Sequence, residues 1–165
     1  ILFGFLYTAG PYALAYIGGA EIVSFLFFGP ISVMGTLYLQ MFSYDVSSFL
    51  FGSCFGFISS GLLVINNTRD IDTDKLVNKR TFAVRFGKLF SYIEYSLFVY
   101  SPIIILDYLT NDSTIQYMLL ILLVFFGFFL TYKFKRCKDE AFNNLLLYHS
   151  IYLIVFTVCS IFLIK

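Results

Sequence analysis

The sequence predicts an all-α fold, a bundle of helices that crosses a membrane several times. Three observations support this: 59% of the 165 residues are hydrophobic, only 13% are charged, and the apolar residues form long unbroken runs. The net charge of +1 does not indicate nucleic-acid binding, because the basic residues fall in local clusters. We therefore expect membrane lipid, and no nucleic acid, around this chain.

The apolar runs define the individual elements, since crossing the hydrocarbon core takes about 20 mostly apolar residues as a helix. Five runs fit well and one fits in part, at residues 1–18, 22–41, 46–66, 88–109, 115–134 and 142–164. No linker rich in Pro, Gly or Ser divides them, so we expect one transmembrane domain over residues 1–165. The chain opens within an apolar run and without Met, which indicates the C-terminal part of a longer protein.

Two kinds of residue modify these helices. Pro30 and Pro102 lie inside predicted spans, where a membrane helix tolerates a kink if its neighbours satisfy the freed carbonyl. In the third run, small residues repeat at helical spacing, at Gly52, Gly56, Ser60 and Gly61. Small residues on one face allow helices to approach closely in lipid, so this helix is predicted to pack tightly.

The connecting segments indicate the orientation in the membrane. Segments 66–88 and 133–140 together carry ten of the eleven basic residues, whereas the turns near 42–46 and 110–114 carry none. The positive-inside rule places the basic segments in the cytoplasm. We therefore expect a protein of the cell inner (cytoplasmic) membrane, with its charged loops facing the cytoplasm.

The most polar stretch, "NNTRDIDTDKLVNKRTFAVRFGK" at residues 66–88, holds nine of the twenty-one charged residues. If the preceding helix continues, Asn67, Asp70 and Asp74 fall within about 60° of one another, and Asp72 points to the opposite side. Two carboxylates one turn apart repel each other unless solvent or a cation separates them. Mg²⁺ suits such a site, because it binds one or two carboxylates and completes its shell with water and phosphate oxygens.

Three other interpretations of this stretch compete with the magnesium site. A solvated loop rich in charge is the default for any hydrophilic connection, and the basic residues could serve only to hold the loop in the cytoplasm. A calcium loop is excluded because Lys75 replaces the required glycine and Thr81 replaces the bidentate glutamate. The spacing alone leaves the first two interpretations open.

The residue pattern of this stretch resembles the second aspartate motif of the UbiA-type intramembrane prenyltransferases. Its variant N-N-x-R-D-x-x-x-D…K-R-T-x-x-V-R-x-G is similar to the branch that prenylates 1,4-dihydroxy-2-naphthoate in menaquinone biosynthesis. A second stretch, "YTAGPYALAYIGGAEIVSFLFFGP" at residues 7–30, resembles another segment of the same branch. Two long matches at the right separation are more specific than a lone D-x-x-x-D.

The resemblance implies a fold and an activity. The family forms a bundle of about nine helices, of which this chain would supply about six, with two aspartate-rich motifs on cytoplasmic loops. Such enzymes transfer a polyprenyl group from polyprenyl diphosphate to an aromatic acid. In this branch the acceptor loses its carboxylate and demethylmenaquinone results. Mg²⁺ is the cofactor, and it binds the diphosphate of the donor.

The resemblance also implies site residues. The Mg²⁺ ligands would be Asp70 and Asp74 with support from Asn67, and Lys79 would complete the catalytic group. The side chains that would meet the diphosphate are Arg69, Lys79, Arg80 and Arg85, and those near the acceptor are Glu21, Tyr12 and Tyr16.

Two departures from the family pattern stand out. Asn78 replaces the glycine that usually precedes K-R-T, and the first aspartate motif, N-D-x-x-D-x-x-x-D, is absent. We expect that motif to lie N-terminal to Ile1, so these residues alone are predicted to be inactive.

Two other functions compete with the naphthoate prenyltransferase. One is prenylation of 4-hydroxybenzoate or another aromatic acceptor. Such relatives usually have a lysine four residues after the tyrosine that corresponds to Tyr12, at the position that Tyr16 occupies here. The other is a transporter or Mg²⁺-binding subunit without chemistry, which predicts no aspartate motif upstream.

Isolated polar residues in the spans have simpler explanations. His149 is the only histidine, and a lone histidine in an apolar helix is more often hydrogen-bonded between helices than a ligand or base. Glu94 can reach the cytoplasmic interface, and Asp107 lies at the far end of its span. The three cysteines are far apart, so we expect reduced thiols.

Overall fold

The regular elements of the chain are helices. The computed structural model describes residues 18–110, 113–137 and 141–163, and it contains no strand within these ranges. In chain order the helices are α1 (Ala20–Phe28), α2 (Pro30–Met41), α3 (Val46–Arg69), α4 (Ile71–Leu76), α5 (Phe82–Leu109), α6 (Thr114–Arg136) and α7 (Ala141–Leu163).

Five stretches of the described residues are long and apolar enough to cross a membrane: α1 with α2, and then α3, α5, α6 and α7. The predicted all-α, multi-pass fold is therefore confirmed, with five of the six expected spans found close to their predicted bounds. Residues 1–17 of the remaining predicted span lie outside the described residues.

The first described span differs from its prediction because it is two helices. Gly29 has φ −119° and ψ −111°, which ends α1, and Pro30 occupies the first position of α2. Proline has no N–H to donate, and the first turn of a helix needs none, so Pro30 fits there without losing a hydrogen bond. Pro102, by contrast, lies inside α5 without ending it.

The helix α5 is interrupted near its start, at Gly87. Gly87 has φ +79° and ψ 177°, so one turn of helix precedes it and the long apolar part follows. That long part matches the predicted span 88–109. The short first turn is capped by Thr81, whose hydroxyl accepts a hydrogen bond from the Val84 N–H at 3.3 Å.

The helix α3 is the most buried of the five spans, and its small residues explain why. A Cβ on Gly52 would lie 2.9 Å from the Pro30 Cα, and one on Gly56 would lie 2.8 Å from a ring carbon of Phe25. The Ser60 hydroxyl donates to the Glu21 carbonyl at 2.8 Å. The predicted close packing along this face is confirmed.

A buried histidine joins α3, α5 and α7. The His149 Nε2 lies 2.8 Å from the Ile58 carbonyl, and its Nδ1 lies 2.9 Å from the Tyr95 hydroxyl. Because a carbonyl can only accept, Nε2 carries the hydrogen, and Nδ1 accepts from Tyr95. A Cβ on Gly61 would lie 2.7 Å from the imidazole Cε1, so glycine makes room for the ring. The predicted helix-to-helix hydrogen bonding of His149 is confirmed.

The two basic segments lie at the same end of the bundle. The Lys135 ammonium at the end of α6 lies 5.9 Å from the centre of the Tyr92 ring in α5. The Arg69 guanidinium at the end of α3 donates to Asn143 at the start of α7 at 2.8 Å. At the opposite end of α5, the exposed Asp107 accepts a hydrogen bond from Gln116 at 3.2 Å.

Candidate active site

The aspartates lie where α3 passes into α4. The helix α3 ends at Arg69, and Asp70 departs from helical geometry with φ −92° and ψ 11°. Helical hydrogen bonds nevertheless continue, because the Asp70 N–H donates to Asn66 at 2.9 Å and the Asp74 N–H donates to Asp70 at 2.8 Å. Asp70 and Asp74 therefore lie one turn apart. Asp72 is turned away, with its side chain 95% exposed.

A tight turn after α4 brings Lys79 back over Asp74. The Lys79 N–H donates to the Asp74 carbonyl at 2.9 Å, and the Asn78 N–H donates to the Lys75 carbonyl at 3.3 Å. This is the Schellman arrangement of a helix end, which requires a left-handed conformation at the first of the two donors, the residue that follows the helix cap. Asn78 supplies it with φ +54°. Glycine adopts this region freely and asparagine tolerates it, which accounts for the substitution.

Each motif aspartate pairs with a basic side chain. The Lys79 ammonium lies 3.0 and 3.2 Å from the two carboxylate oxygens of Asp74, which is buried. The Arg69 guanidinium contacts both oxygens of Asp70, at 2.7 and 3.0 Å. These hydrogen bonds hold the pKa of Asp70 below its usual range, so this carboxyl is ionised at neutral pH.

Glu21 joins the same cluster from α1. One of its carboxylate oxygens, Oε1, accepts a hydrogen bond from the Asn67 amide at 2.6 Å, and the residue is only 2% exposed. The other oxygen, Oε2, is buried and has no hydrogen-bond partner among the described residues. The Lys79 ammonium is near enough to act electrostatically on both Glu21 and Asp70. The structure thus brings together Glu21, Asn67, Asp70, Asp74 and Lys79.

The two sequence stretches that resemble family motifs meet through their backbones. Gly18 has φ +86°, and a Cβ at this position would lie 2.8 Å from the Arg80 carbonyl. The glycine therefore permits the segment before α1 to lie against the loop that precedes α5. Sequence reasoning passed over Gly18, although "YIGGA" contains paired glycines of the kind that mark such turns.

The remaining predicted site residues are less closely associated with the cluster. Arg80 and Arg85 have exposed side chains, in the loop before α5 and in its first turn. Tyr12 and Tyr16 lie outside the described residues. Asn143, which orients Arg69, was not predicted, because the resemblance matches the last third of the chain mainly by hydropathy.

The donor atoms of the cluster fit a hard divalent cation. Carboxylate and amide oxygens from Asn67, Asp70 and Asp74 are the ligand types that Mg²⁺ prefers. Within the described part of the chain, no three acidic, histidine or cysteine side chains lie close enough to form a metal site by themselves. Mg²⁺ needs only one or two carboxylates when waters and phosphate oxygens complete its shell, so this set is sufficient for it.

Comparison with known proteins identifies the relationship. The model of the UbiA prenyltransferase family matches residues 1–162. The chain is 43% identical over 82 residues to a Mycobacterium tuberculosis protein named 1,4-dihydroxy-2-naphthoate octaprenyltransferase, and the match covers 50% of this chain and 28% of that relative. A protein of the same name from Escherichia coli is 37% identical over 89 residues, covering 54% of this chain and 29% of the relative.

Human relatives are found as well. The chain is 29% identical over 141 residues to UbiA prenyltransferase domain-containing protein 1 from Homo sapiens, and the match covers 86% of this chain and 40% of that protein. Each match thus covers less than half the length of the relative. No solved structure matches it.

Proposed function

The chain belongs to the UbiA prenyltransferase family, and we propose that the complete protein transfers a polyprenyl group from polyprenyl diphosphate to 1,4-dihydroxy-2-naphthoate. The carbon–oxygen bond of the donor breaks and diphosphate leaves with the electron pair. A ring carbon of the acceptor forms the new carbon–carbon bond and loses its carboxylate as carbon dioxide. The immediate product is the quinol, demethylmenaquinol, and a separate two-electron oxidation outside this reaction converts it to demethylmenaquinone.

The single observation that carries this proposal is the pairing within the cluster. Two carboxylates lie one turn apart, and each contacts a basic side chain: Asp74 with Lys79 and Asp70 with Arg69. Such a set contains both ligands for a divalent cation and cations for a multiply charged anion. A diphosphate with its metal needs both, because its charge must be neutralised as the leaving group departs.

In this proposal Asp70 and Asp74, supported by Asn67, hold Mg²⁺. When bound, the ion supplies the positive charge that stabilises the departing diphosphate. Lys79 and Arg69 exchange partners as the polyprenyl diphosphate binds, because their cationic groups turn from the carboxylates to phosphate oxygens. Arg80 and Arg85, on the loop before α5 and in its first turn, add further positive charge around the diphosphate.

The acceptor site is proposed around Glu21. One of its carboxylate oxygens is buried and has no hydrogen-bond partner in the part of the chain that the structure describes, while the other oxygen is held by Asn67. A buried acceptor atom without a partner costs free energy, and a hydroxyl group of a substrate removes that cost by donating to it. Glu21 thereby orients a dihydroxy aromatic ring, and Tyr12 and Tyr16 complete this pocket in the proposal.

The naphthoate acceptor is favoured over other aromatic acids by the names of two relatives and by Tyr16, where hydroxybenzoate-specific relatives usually have lysine. Prenylation of 4-hydroxybenzoate is the second candidate, because membership of the UbiA family does not by itself specify the aromatic acceptor. The positive-inside distribution supports a site that faces the cytoplasm from the cell inner membrane. We further propose that residues 1–165 form part of one domain, and that the first aspartate motif precedes them and is required for turnover.

The proposal is tested in the complete protein, in membranes, with radiolabelled polyprenyl diphosphate and a panel of aromatic acids. Asp70→Asn should lower prenyl transfer about 100-fold or more without altering membrane insertion. Asp72→Asn is the matched control, because it removes the same charge from an exposed side chain on the opposite side of the helix. Equal activity of the two variants removes Asp70 from the site.

The acceptor panel decides between the candidate functions. Product from 1,4-dihydroxy-2-naphthoate alone supports the main proposal, and product from 4-hydroxybenzoate alone supports the second. A chelator should abolish the reaction and added Mg²⁺ should restore it. No product with any acceptor, from a correctly inserted protein that contains the upstream motif, contradicts both proposals and favours a protein without chemistry.

A further inference from the structure

A lateral groove separate from the aspartate cluster lies between α5 and α6. Its volume is about 580 Å³, within the range of ligand sites. Its lining on α5 runs from Tyr92 to Ile104, and its lining on α6 runs from Phe128 to Lys135. Several of these side chains, including Leu97 and Phe128, are exposed on the surface of the described bundle.

The groove has the length of one lipid leaflet. Tyr92 and Ile104 are twelve residues apart, which is about 18 Å along a helix, and half of a hydrocarbon core is about 15 Å. One end lies beside Lys135, at the end of the bundle where the basic segments meet. The groove therefore begins near the charged boundary of the membrane and extends inward over a length comparable to that of one leaflet.

Three hydroxyl groups along the groove already have hydrogen-bond partners within the bundle. Ser96 donates to the Tyr92 carbonyl at 2.7 Å, and Thr131 donates to the Gly127 carbonyl at 3.0 Å. The Tyr100 hydroxyl lies 3.5 Å from the Thr131 hydroxyl. Because these groups already have partners, the lining suits a hydrocarbon chain better than a polar solute.

The boundary end of the groove is cationic. Lys135 lines this end, and its ammonium lies over the Tyr92 ring at 5.9 Å. The Arg136 guanidinium does not line the groove, but it lies over the ring of the lining residue Tyr132 at 4.4 Å. Both side chains are exposed, and neither pairs with a carboxylate in the ranges that the structure describes. The aromatic rings hold the cations at the boundary, where an anionic head group would meet them.

We propose that this groove binds one anionic phospholipid of the same leaflet, with an acyl chain along α5 and α6 and the phosphate at Lys135. Three observations carry the assignment together: a length close to that of one leaflet, a largely apolar lining, and a positive charge among the lining residues at the head-group end only. Basic pockets between membrane helices on the cytoplasmic side recognise lipid head groups by this chemistry. The site is independent of the proposed prenyl transfer.

The test uses the complete protein in detergent, with native mass spectrometry to count bound phospholipid. Phosphatidylglycerol should remain bound at concentrations where phosphatidylcholine does not. Lys135→Gln should weaken phosphatidylglycerol binding about fivefold. Lys133→Gln is the matched control, because Lys133 lies over Phe129 and does not line the groove. Equal weakening by both variants, or by neither, overturns the proposal.

A second pair of variants tests the acyl-chain part of the site. Ser101→Phe fills the inner part of the groove and should reduce lipid occupancy, whereas Ile121→Phe adds bulk to an exposed position of α6 outside it and should not. Unchanged occupancy in Ser101→Phe overturns the proposal. So does displacement of the lipid by millimolar inorganic phosphate, which indicates an anion site alone. A change from dimer to monomer in Ser101→Phe also overturns it, because the groove is then a contact between two copies.

Discussion

At the scale of single residues, the site depends on the backbone turn that brings Lys79 into contact with Asp74. Lys79 is five residues beyond Asp74, too far for a neighbour on the same helix face. The left-handed Asn78 ends α4 and directs the chain back, so that the ammonium lies 3.0 Å from the carboxylate. The departure from the family's glycine therefore keeps the backbone conformation that glycine serves.

This account predicts the effect of changing Asn78. Asn78→Gly should retain activity and stability, because glycine adopts a positive φ without strain. Asn78→Val should cost about 1–2 kcal/mol locally and displace Lys79, since a β-branched residue resists this conformation. Steady-state transfer rates and thermal unfolding in detergent measure both. An active, fully stable Asn78→Val protein contradicts the role of the turn.

Lys79 itself gives a second prediction. Lys79→Ala should raise the KM for the polyprenyl donor or lower kcat, because it removes a cation proposed to meet the diphosphate. Lys75→Ala is the control, since Lys75 is exposed and lies 3.7 Å from the solvated Asp72. An effect of Lys79→Ala on the KM for the acceptor alone would place this lysine in the other half of the site.

At the scale of elements, α3 organises the molecule because its small residues admit three neighbours. It contacts α1 and α2 through Gly52 and Gly56, and it accommodates the ring of His149 from α7 at Gly61. The hydrogen bond between His149 and Tyr95 adds α5 to the same layer. The helix that carries Asn67 is thus fixed on several sides, which positions the aspartates that follow it.

Packing at Gly61 predicts a stability effect. Gly61→Ala should destabilise the folded protein by about 1–3 kcal/mol, because its methyl group would overlap the imidazole of His149. Gly35→Ala is the matched control, since a Cβ there meets no atom within 4 Å. Unfolding in a denaturing detergent compares the two. Equal stability of both variants contradicts the close packing of α3 against α7.

The hydrogen bond of Tyr95 gives a separate prediction. Tyr95→Phe removes the donor to His149 and should cost about 0.6–1.7 kcal/mol, the range for interhelical hydrogen bonds in membranes. The same unfolding measurement tests it, with Tyr108→Phe, an exposed tyrosine on α5, as the control. A loss in Tyr95→Phe no larger than in the control would show that the hydroxyl does not stabilise the three-helix contact.

At the scale of the whole molecule, basic charge is segregated to one end of the described bundle. The ends of α3 and α6 and the starts of α5 and α7 meet there, through the contacts of Arg69 with Asn143 and of Lys135 with Tyr92. The opposite end, with its capped helix starts at Asp45 and Ser113, carries no basic residue in the described turns. The proposed catalytic cluster and the proposed lipid site share the basic end.

The segregation of basic residues also predicts the orientation of the protein in the membrane. In the complete protein with its native cysteines replaced by serine, Thr73→Cys should react with an impermeant maleimide only from the cytoplasmic side. Ser43→Cys should react only from the other side, because the two exposed positions lie at opposite ends of α3. Labelling of both from the same side would contradict the positive-inside assignment.

The sequence by itself determined the class of fold, the bounds of the spans and the charged end. These features depend only on the length and hydropathy of continuous segments and on where the charged residues fall between them. It also marked Asp70, Asp74 and Lys79 as members of one motif. It did not reveal the break at Gly29, the contact of Glu21 with Asn67, or the partner of Lys79. Those features depend on which helices meet and on where a backbone turns left-handed. Only tertiary structure decides such things, because residues 46 positions apart share a hydrogen bond through the packing of helices and not through any local pattern.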